Sequence, residues 1–208
     1  DIPFLVRVDF RNYIASHLID LEELDLAEEL LQLNLDIFDQ ESQCNLNFYQ
    51  CLNLMSNVYF ATPKKGYLNL SEQAVDCVES NGYDHSRIYA GLLAHLGGIY
   101  SKLGKYELAE LSLSKSKKVF LLGNDDLMED MTYLALLNNL ALNEKLNGSL
   151  SASIANYELV LRALKKLIGP EHPSYVAVSI NLSRAYNEVG DYESSYQILK
   201  NIVSGDLS

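Results

Sequence analysis

The last stretch of the chain most tightly limits what it can fold into. Across residues 174–188, Val176, Ile180, Leu182, Ala185 and Tyr186 recur at helical spacing, and Gly190-Asp191 then breaks the run. Residues 192–203 begin a second run through Tyr192, Tyr196, Leu199 and Ile202. The pattern predicts a helix–turn–helix hairpin. Each helix carries an apolar stripe too wide for one partner to cover, so the hairpin has to be one unit of a stack.

Leu182-Ser183, Tyr186, Gly190, Tyr192 and Ser195 resemble the tetratricopeptide repeat, in which a leucine, a small residue and a tyrosine precede a turn glycine and a second small residue. Leu96-Gly97, Tyr100, Gly104, Tyr106 and Ala109 reproduce the pattern, and Leu140-Ala141, Gly148 and Ser153 repeat it with Glu144 in place of the first tyrosine. Taking the small residue after the leucine as a marker gives Ala15, Ser56, Gly97, Ala141 and Ser183, with steps of 41, 41, 44 and 42 residues. The expectation is an all-α, right-handed superhelical solenoid of five hairpins, over residues 8–35, 49–79, 90–120, 134–168 and 174–203. The first turn, Asp20-Leu21-Glu22, has no glycine, and the second, from Thr62 to Gly66, is longer than the others.

The usual repeat of this family has about 34 residues, so each unit here carries roughly two extra helical turns. That length, with Leu137-Asn138-Asn139-Leu140-Ala141-Leu142 and Leu167-Ile168-Gly169-Pro170-Glu171-His172-Pro173, resembles the kinesin light chain class. The resemblance implies a protein–protein interaction module whose first helices line a groove for an extended peptide. Carried over by position, the groove residues are Asn12, Asn53, Asn57, Phe60, Lys102, Asn138, Asn139, Lys145, Asn181, Arg184 and Asn187. Asparagine amides both donate to and accept from a peptide backbone, which suits a ligand of loosely specified sequence. Asn139 and Asn181, directly before the leucine, either hold that backbone or tie adjacent helices together. Lys102, Lys145 and Arg184 are too few for a basic groove that receives aromatic–acidic cargo. Similar long repeats also occur fused to peptidase or kinase domains, so a regulatory segment of a larger enzyme is the alternative reading.

Composition narrows the partners. The net charge of −12 is concentrated near the start, where residues 1–50 hold eleven acids, among them Asp1, Asp39 and Glu41, against Arg7 and Arg11. That balance argues against nucleic acid; Glu22, Glu23, Glu28 and Glu29 read either as a solvated helix face or as a surface that selects a partner with a basic stretch. No apolar run approaches the roughly 18–20 residues of a membrane span. Asp1-Ile2-Pro3 has neither an initiator methionine nor the basic start of a signal peptide, implying a processed or excised chain, with a cytoplasmic location expected.

No catalytic, metal or cofactor site is expected. Cys44, Cys51 and Cys77 have no C-x-x-C spacing, and the last two read as small core residues. His85 and His172 recur in loops that open repeats, where a structural role fits. His95 sits beside the marker Gly97, and Gly97-Gly98 lies within a helical pattern, which reads as close packing and not as a phosphate loop. The last helix ends with Tyr196, Leu199, Ile202 and Val203, followed by residues 204–208, so its open edge should be covered by a neighbouring chain or a further helix.

Overall fold

The structure, a computed structural model, describes residues 3–41, 44–123 and 126–204. Asp1, which belongs to the acidic set, and residues 205–208 of the expected open end lie outside them, as do the side chains of Asp39 and Glu41. Among the described residues every regular element is helical. The helices are α1 (Phe4–Asp20), α2 (Leu24–Glu41), α3 (Leu46–Ala61), α4 (Tyr67–Ser80), α5 (Arg87–Lys102), α6 (Tyr106–Phe120), α7 (Met131–Leu146), α8 (Leu150–Ile168), α9 (Pro173–Glu188) and α10 (Tyr192–Ser204), with one 3-10 turn at Leu127–Glu129. The chain divides into two compact units, residues 1–92 and 93–208.

The marker register organises the turns. Seven residues after Gly97, Ala141 and Ser183 stand Gly104, Gly148 and Gly190, all with φ between 72° and 85°, where a Cβ is disfavoured. The same position in the first hairpin is Glu22, which adopts φ 63° although it is not glycine. The second hairpin joins α3 to α4 through residues 62–66, two more than the 103–105 turn, and turns on Gly66 at φ 105°.

Twelve residues after the marker, Ala27, Ala109, Ser153 and Ser195 are all buried, and Ser71 takes that place in the second hairpin with its longer turn. These small side chains let the two helices of a hairpin meet, and the serines also bond across the contact. Ser56 and Ser71 share a hydrogen bond of 2.6 Å, Ser183 and Ser195 one of 2.7 Å, and Ser153 Oγ donates to the Ala141 carbonyl at 2.7 Å. A buried hydroxyl without such a partner would cost about 1–3 kcal/mol.

The first unit is centred on Val8, Ala15, Ala27, Leu31, Phe38, Cys51, Met55 and Val58. Phe38 packs edge-on against Phe4 and Phe48, with ring centroids 6.0 and 5.0 Å apart. Cys51 is buried with a free thiol that donates to the Leu31 carbonyl at 3.4 Å. Cys77 corrects the sequence expectation, because it is disulfide-bonded to Cys44 with Cα atoms 5.6 Å apart. The bond fastens the segment between α2 and α3 to the end of α4.

In the second unit Leu113, Leu134, Leu136, Tyr157 and Leu164 are buried, and Phe120 meets Tyr133 edge-on at 5.4 Å. Each such leucine removed from water stabilises the fold by roughly 1.5–3 kcal/mol. Some helix starts are capped by side chains, as at α3, α7 and α9. Asp130 accepts from the Thr132 and Tyr133 amides, and His172 Nδ1 accepts from the Ser174 amide at 3.1 Å, directly before Pro173 at the first turn of α9. His172 is therefore a cap. His85 is exposed, 3.9 Å from Asp84.

Candidate functional site

The expected groove residues separate into those whose polar atoms are used within the protein and those with unused capacity. Asn12 belongs to the first kind. It is buried, its Nδ2 donates to the Asn47 carbonyl at 2.9 Å, and its Oδ1 accepts from Asn34 Nδ2 at 3.0 Å. Asn34, which sequence reasoning missed, is fully buried on α2 and also donates to the Val8 carbonyl at 3.2 Å. Together the two amides fasten α1, α2 and α3.

On α3 the arrangement differs. Asn53 is half-buried, and its Oδ1 is out of contact with solvent and has no protein donor within reach. Asn57 stands one helical turn further on, also half-buried, and Phe60 lies edge-on to Tyr67 at 5.3 Å. The acidic residues of this unit lie elsewhere. Asp25, Glu28, Glu29 and Asp36 border a shallow depression on α2, and Glu28 is already ion-paired with Lys64.

In the second unit Asn138 repeats the condition of Asn53. Both stand three residues before the marker, and the Asn138 Oδ1 is likewise buried without a protein donor. Its neighbour Asn139 is a tie between helices: Nδ2 donates to the Ala94 carbonyl at 2.9 Å, linking α7 to α5. Gly98 makes room for it, since a Cβ there would lie 2.9 Å from the Asn139 amide nitrogen. Asn143, one turn on, was missed by the sequence. It is buried, accepts from Ser101 Oγ at 3.0 Å and reaches Glu110 at 3.5 Å.

The cations of this face are partly committed. Lys145 pairs with Glu188 at 3.0 Å, and its side chain is only 12% exposed. Burial lowers the Lys102 pKa, while Arg184 and Asn187 are exposed and Asn181 is half-buried. Burial, reinforced by Lys102, brings the His95 pKa down to about 4, so its imidazole is neutral near pH 7, and its Nε2 has no protein partner. Glu144, which replaces the family tyrosine, has its pKa raised by burial, partly opposed by a 2.8 Å bond from Asn156 Nδ2. Tyr186 donates to Glu158 at 2.6 Å, and burial with that carboxylate pushes its pKa to about 12.

What this chemistry offers is a set of uncharged acceptors and amides on α3 and on α7–α9, each held by a rigid helix. Among the described residues no group of three or more His, Cys, Asp or Glu could hold a metal ion, and no helix is long and apolar enough to cross a membrane.

Comparison with known proteins gives the arrangement its class. Residues 132–200 match the family model of the tetratricopeptide repeat. No curated protein matches the chain. Among solved structures, a variant form of the nearly identical TPR-like repeats of a Podosopora anserina kinesin light chain candidate is 19% identical and superposes with a TM-score of 0.71, covering 98% of this chain and 96% of that one. BtubC (BKLC) from P. vanneervenii is 17% identical at a TM-score of 0.63, with 95% of this chain and 85% of that one covered. The Cut9–Hcn1 hetero-tetramer of APC/C gives 17% and 0.63 over 93% of this chain and 32% of that one. Residues 132–200 are thus tetratricopeptide repeats, and the chain has the fold of kinesin light chain-like repeat proteins.

Proposed function

We propose that the chain is an interaction scaffold whose first-helix faces bind extended segments of a partner protein, α7 and α9 in the second unit and α3 in the first. The tetratricopeptide fold is generally a protein–protein scaffold, which supports the class. The observation that carries the finer reading is the pair of buried, unsatisfied amide oxygens on Asn53 and Asn138, at the same repeat position in two separate hairpins. An unpaired buried acceptor costs about 1–3 kcal/mol. An extended peptide supplies backbone N–H and C=O groups at regular intervals, so rotation of each half-buried amide about χ2 toward the peptide recovers that cost and demands little of its sequence. Asn57, Asn181, Arg184 and Asn187 extend the polar surface around these two positions. Lys102 adds positive charge, and Lys145 contributes as an ion pair with Glu188. Asn139 contributes indirectly by fixing α7 on α5.

The partner carries a basic stretch that meets the carboxylates of α2 in the first unit. Main-chain hydrogen bonds are insensitive to salt, whereas exposed charges are screened beyond about 8 Å at physiological ionic strength. The two contributions therefore separate in one experiment, performed with an extended basic peptide selected from an immobilised peptide array. Asn53→Ala with Asn138→Ala should weaken binding at every salt concentration, by about 1 kcal/mol per lost bond. Reversing Glu22, Glu23, Glu28 and Glu29 to lysine should slow association chiefly at low salt. Binding indifferent to both sets overturns the assignment.

A further inference from the structure

The cysteines of the first unit, Cys44, Cys51 and Cys77, stand in three different environments. Cys51 is buried on α3, its thiol donates to the Leu31 carbonyl, and burial pushes its pKa up to about 12. It stays an unreactive thiol near pH 7. Cys44 and Cys77 instead border a cavity of about 360 Å³ whose lining holds no charged side chain. Tyr83 and Ile88, which also line it, are exposed and form its rim. A cavity of that size admits a small molecule to the disulfide from solvent.

The two bonded sulfurs are not equivalent. Cys77 is buried and lies in the last turn of α4, the end of a helix that opposes negative charge. Cys44 is half-buried and directly precedes Asn45, which caps the start of α3, the end that favours it. A donor is also in place. Asn81 Nδ2 donates to Cys44 Sγ at 3.1 Å and to the Cys77 carbonyl at 2.8 Å. The second bond fixes the amide at the end of α4, so it still faces Cys44 once the disulfide is open. A hydrogen bond to the charged form favours that form, so negative charge collects on Cys44.

We propose that Cys44 and Cys77 are a peroxide-reactive pair in which Cys44 is the nucleophile, Cys77 resolves it and the cavity admits the oxidant, a small hydroperoxide. The Cys44 thiolate attacks the outer oxygen of the hydroperoxide and keeps that hydroxyl as a sulfenic acid, while the O–O electron pair leaves on an alkoxide that takes a proton from water. The Cys77 sulfur then attacks the Cys44 sulfur, its proton departs with the displaced hydroxide as water, and the disulfide forms. With Cα atoms 5.6 Å apart, the backbone already stands at bonding distance. A dithiol reverses the change, becoming a cyclic disulfide as both cysteines regain their protons. The pair thereby joins the segment before α3 to the end of α4 under oxidant and frees it under reductant.

The 208-residue chain, reduced with dithiothreitol and desalted, is treated with one equivalent of hydrogen peroxide and mapped by mass spectrometry. The wild type should regain the Cys44–Cys77 bond while Cys51 stays a thiol. In Cys77→Ser the sulfenic acid has no resolving partner, so dimedone should label Cys44, and in Cys44→Ser it should label nothing. Asn81→Ala should slow alkylation of Cys44 by iodoacetamide at pH 7 about tenfold, the loss in thiolate that a rise of about one pKa unit brings. Circular dichroism verifies that each variant keeps its helix, and the wild-type arm, which needs no substitution, decides even where one does not. A wild type that stays reduced overturns the proposal. So does dimedone on Cys77 or Cys51, a Cys77→Ser chain that takes no label, or an Asn81→Ala chain that reacts at the wild-type rate.

Discussion

Replacing Gly97 with alanine sets two well-known effects against each other. Alanine in a helix interior is favoured over glycine by about 1 kcal/mol, so a change without steric consequence would stabilise α5. The site is not permissive. A Cβ there would lie 2.5 Å from Leu113 Cγ, 2.7 Å from Leu113 Cδ2 and 3.3 Å from the Ala109 carbonyl oxygen. Leu113 is fully buried, and the nearest atom is its branch carbon, so a change in χ2 alone does not clear the space. The helices α5 and α6 have to move apart, and forcing one methyl group into a packed contact costs about 1–3 kcal/mol. Packing should win, leaving Gly97→Ala destabilised by about 1 kcal/mol net. Urea unfolding followed by circular dichroism should show a lower midpoint with an unchanged slope. A midpoint equal to or above that of the wild type would show that propensity prevails and that Gly97 does not face Leu113.

Glu22 adopts the left-handed conformation that Gly104, Gly148 and Gly190 adopt in other turns, so Glu22→Gly should be neutral or stabilising by up to about 1 kcal/mol in thermal melts, and a loss of stability would contradict this. The Cys44–Cys77 bond closes a separation of 33 residues, for which chain entropy gives a contribution of up to about 4 kcal/mol. Thiol labelling under denaturing, non-reducing conditions should count one thiol, Cys51, and finding three would remove the bond; Cys44→Ser should lower the first unit's melting temperature. Such bonds persist in oxidising compartments. His95 is a base whose folded pKa, about 4, lies below its ordinary 6.5, so the unfolded chain takes up its proton first as pH falls. Its contribution is complete above pH 6.5 and is lost progressively toward pH 4, by about 3 kcal/mol. His95→Gln should flatten the stability profile across that window, and an unaltered slope would place the imidazole in solvent.

The features legible in the sequence are those set by short-range spacing. Gly104, Gly148 and Gly190 punctuate turns, and the marker register locates the close contacts at Ala27, Ala109, Ser153 and Ser195, because both depend on positions within one hairpin. Asn12 could not be read this way. Its partners Asn34 and Asn47 are 22 and 35 residues distant, and an asparagine at a face position looks the same whether it meets a ligand or a neighbouring helix. Asn139 illustrates the same ambiguity, since the Ala94 carbonyl that its Nδ2 meets is 45 residues away. The pairing of Cys44 with Cys77 depends on where the segment after α2 runs, which no local pattern encodes. The cap formed by His172 had a visible signal in the proline that follows it.

The central claim is that the unsatisfied amides of Asn53 and Asn138 receive a partner's backbone while Asn139 belongs to the framework. Side-chain amide resonances of the labelled chain, recorded during titration with the array-selected peptide, test it directly. The Asn53 and Asn138 signals should each move and saturate, and the Asn139 signal should stay where the Ala94 bond holds it. Saturable binding that leaves Asn53 and Asn138 unmoved, with shifts confined to second helices such as α8 and α10, would contradict the account.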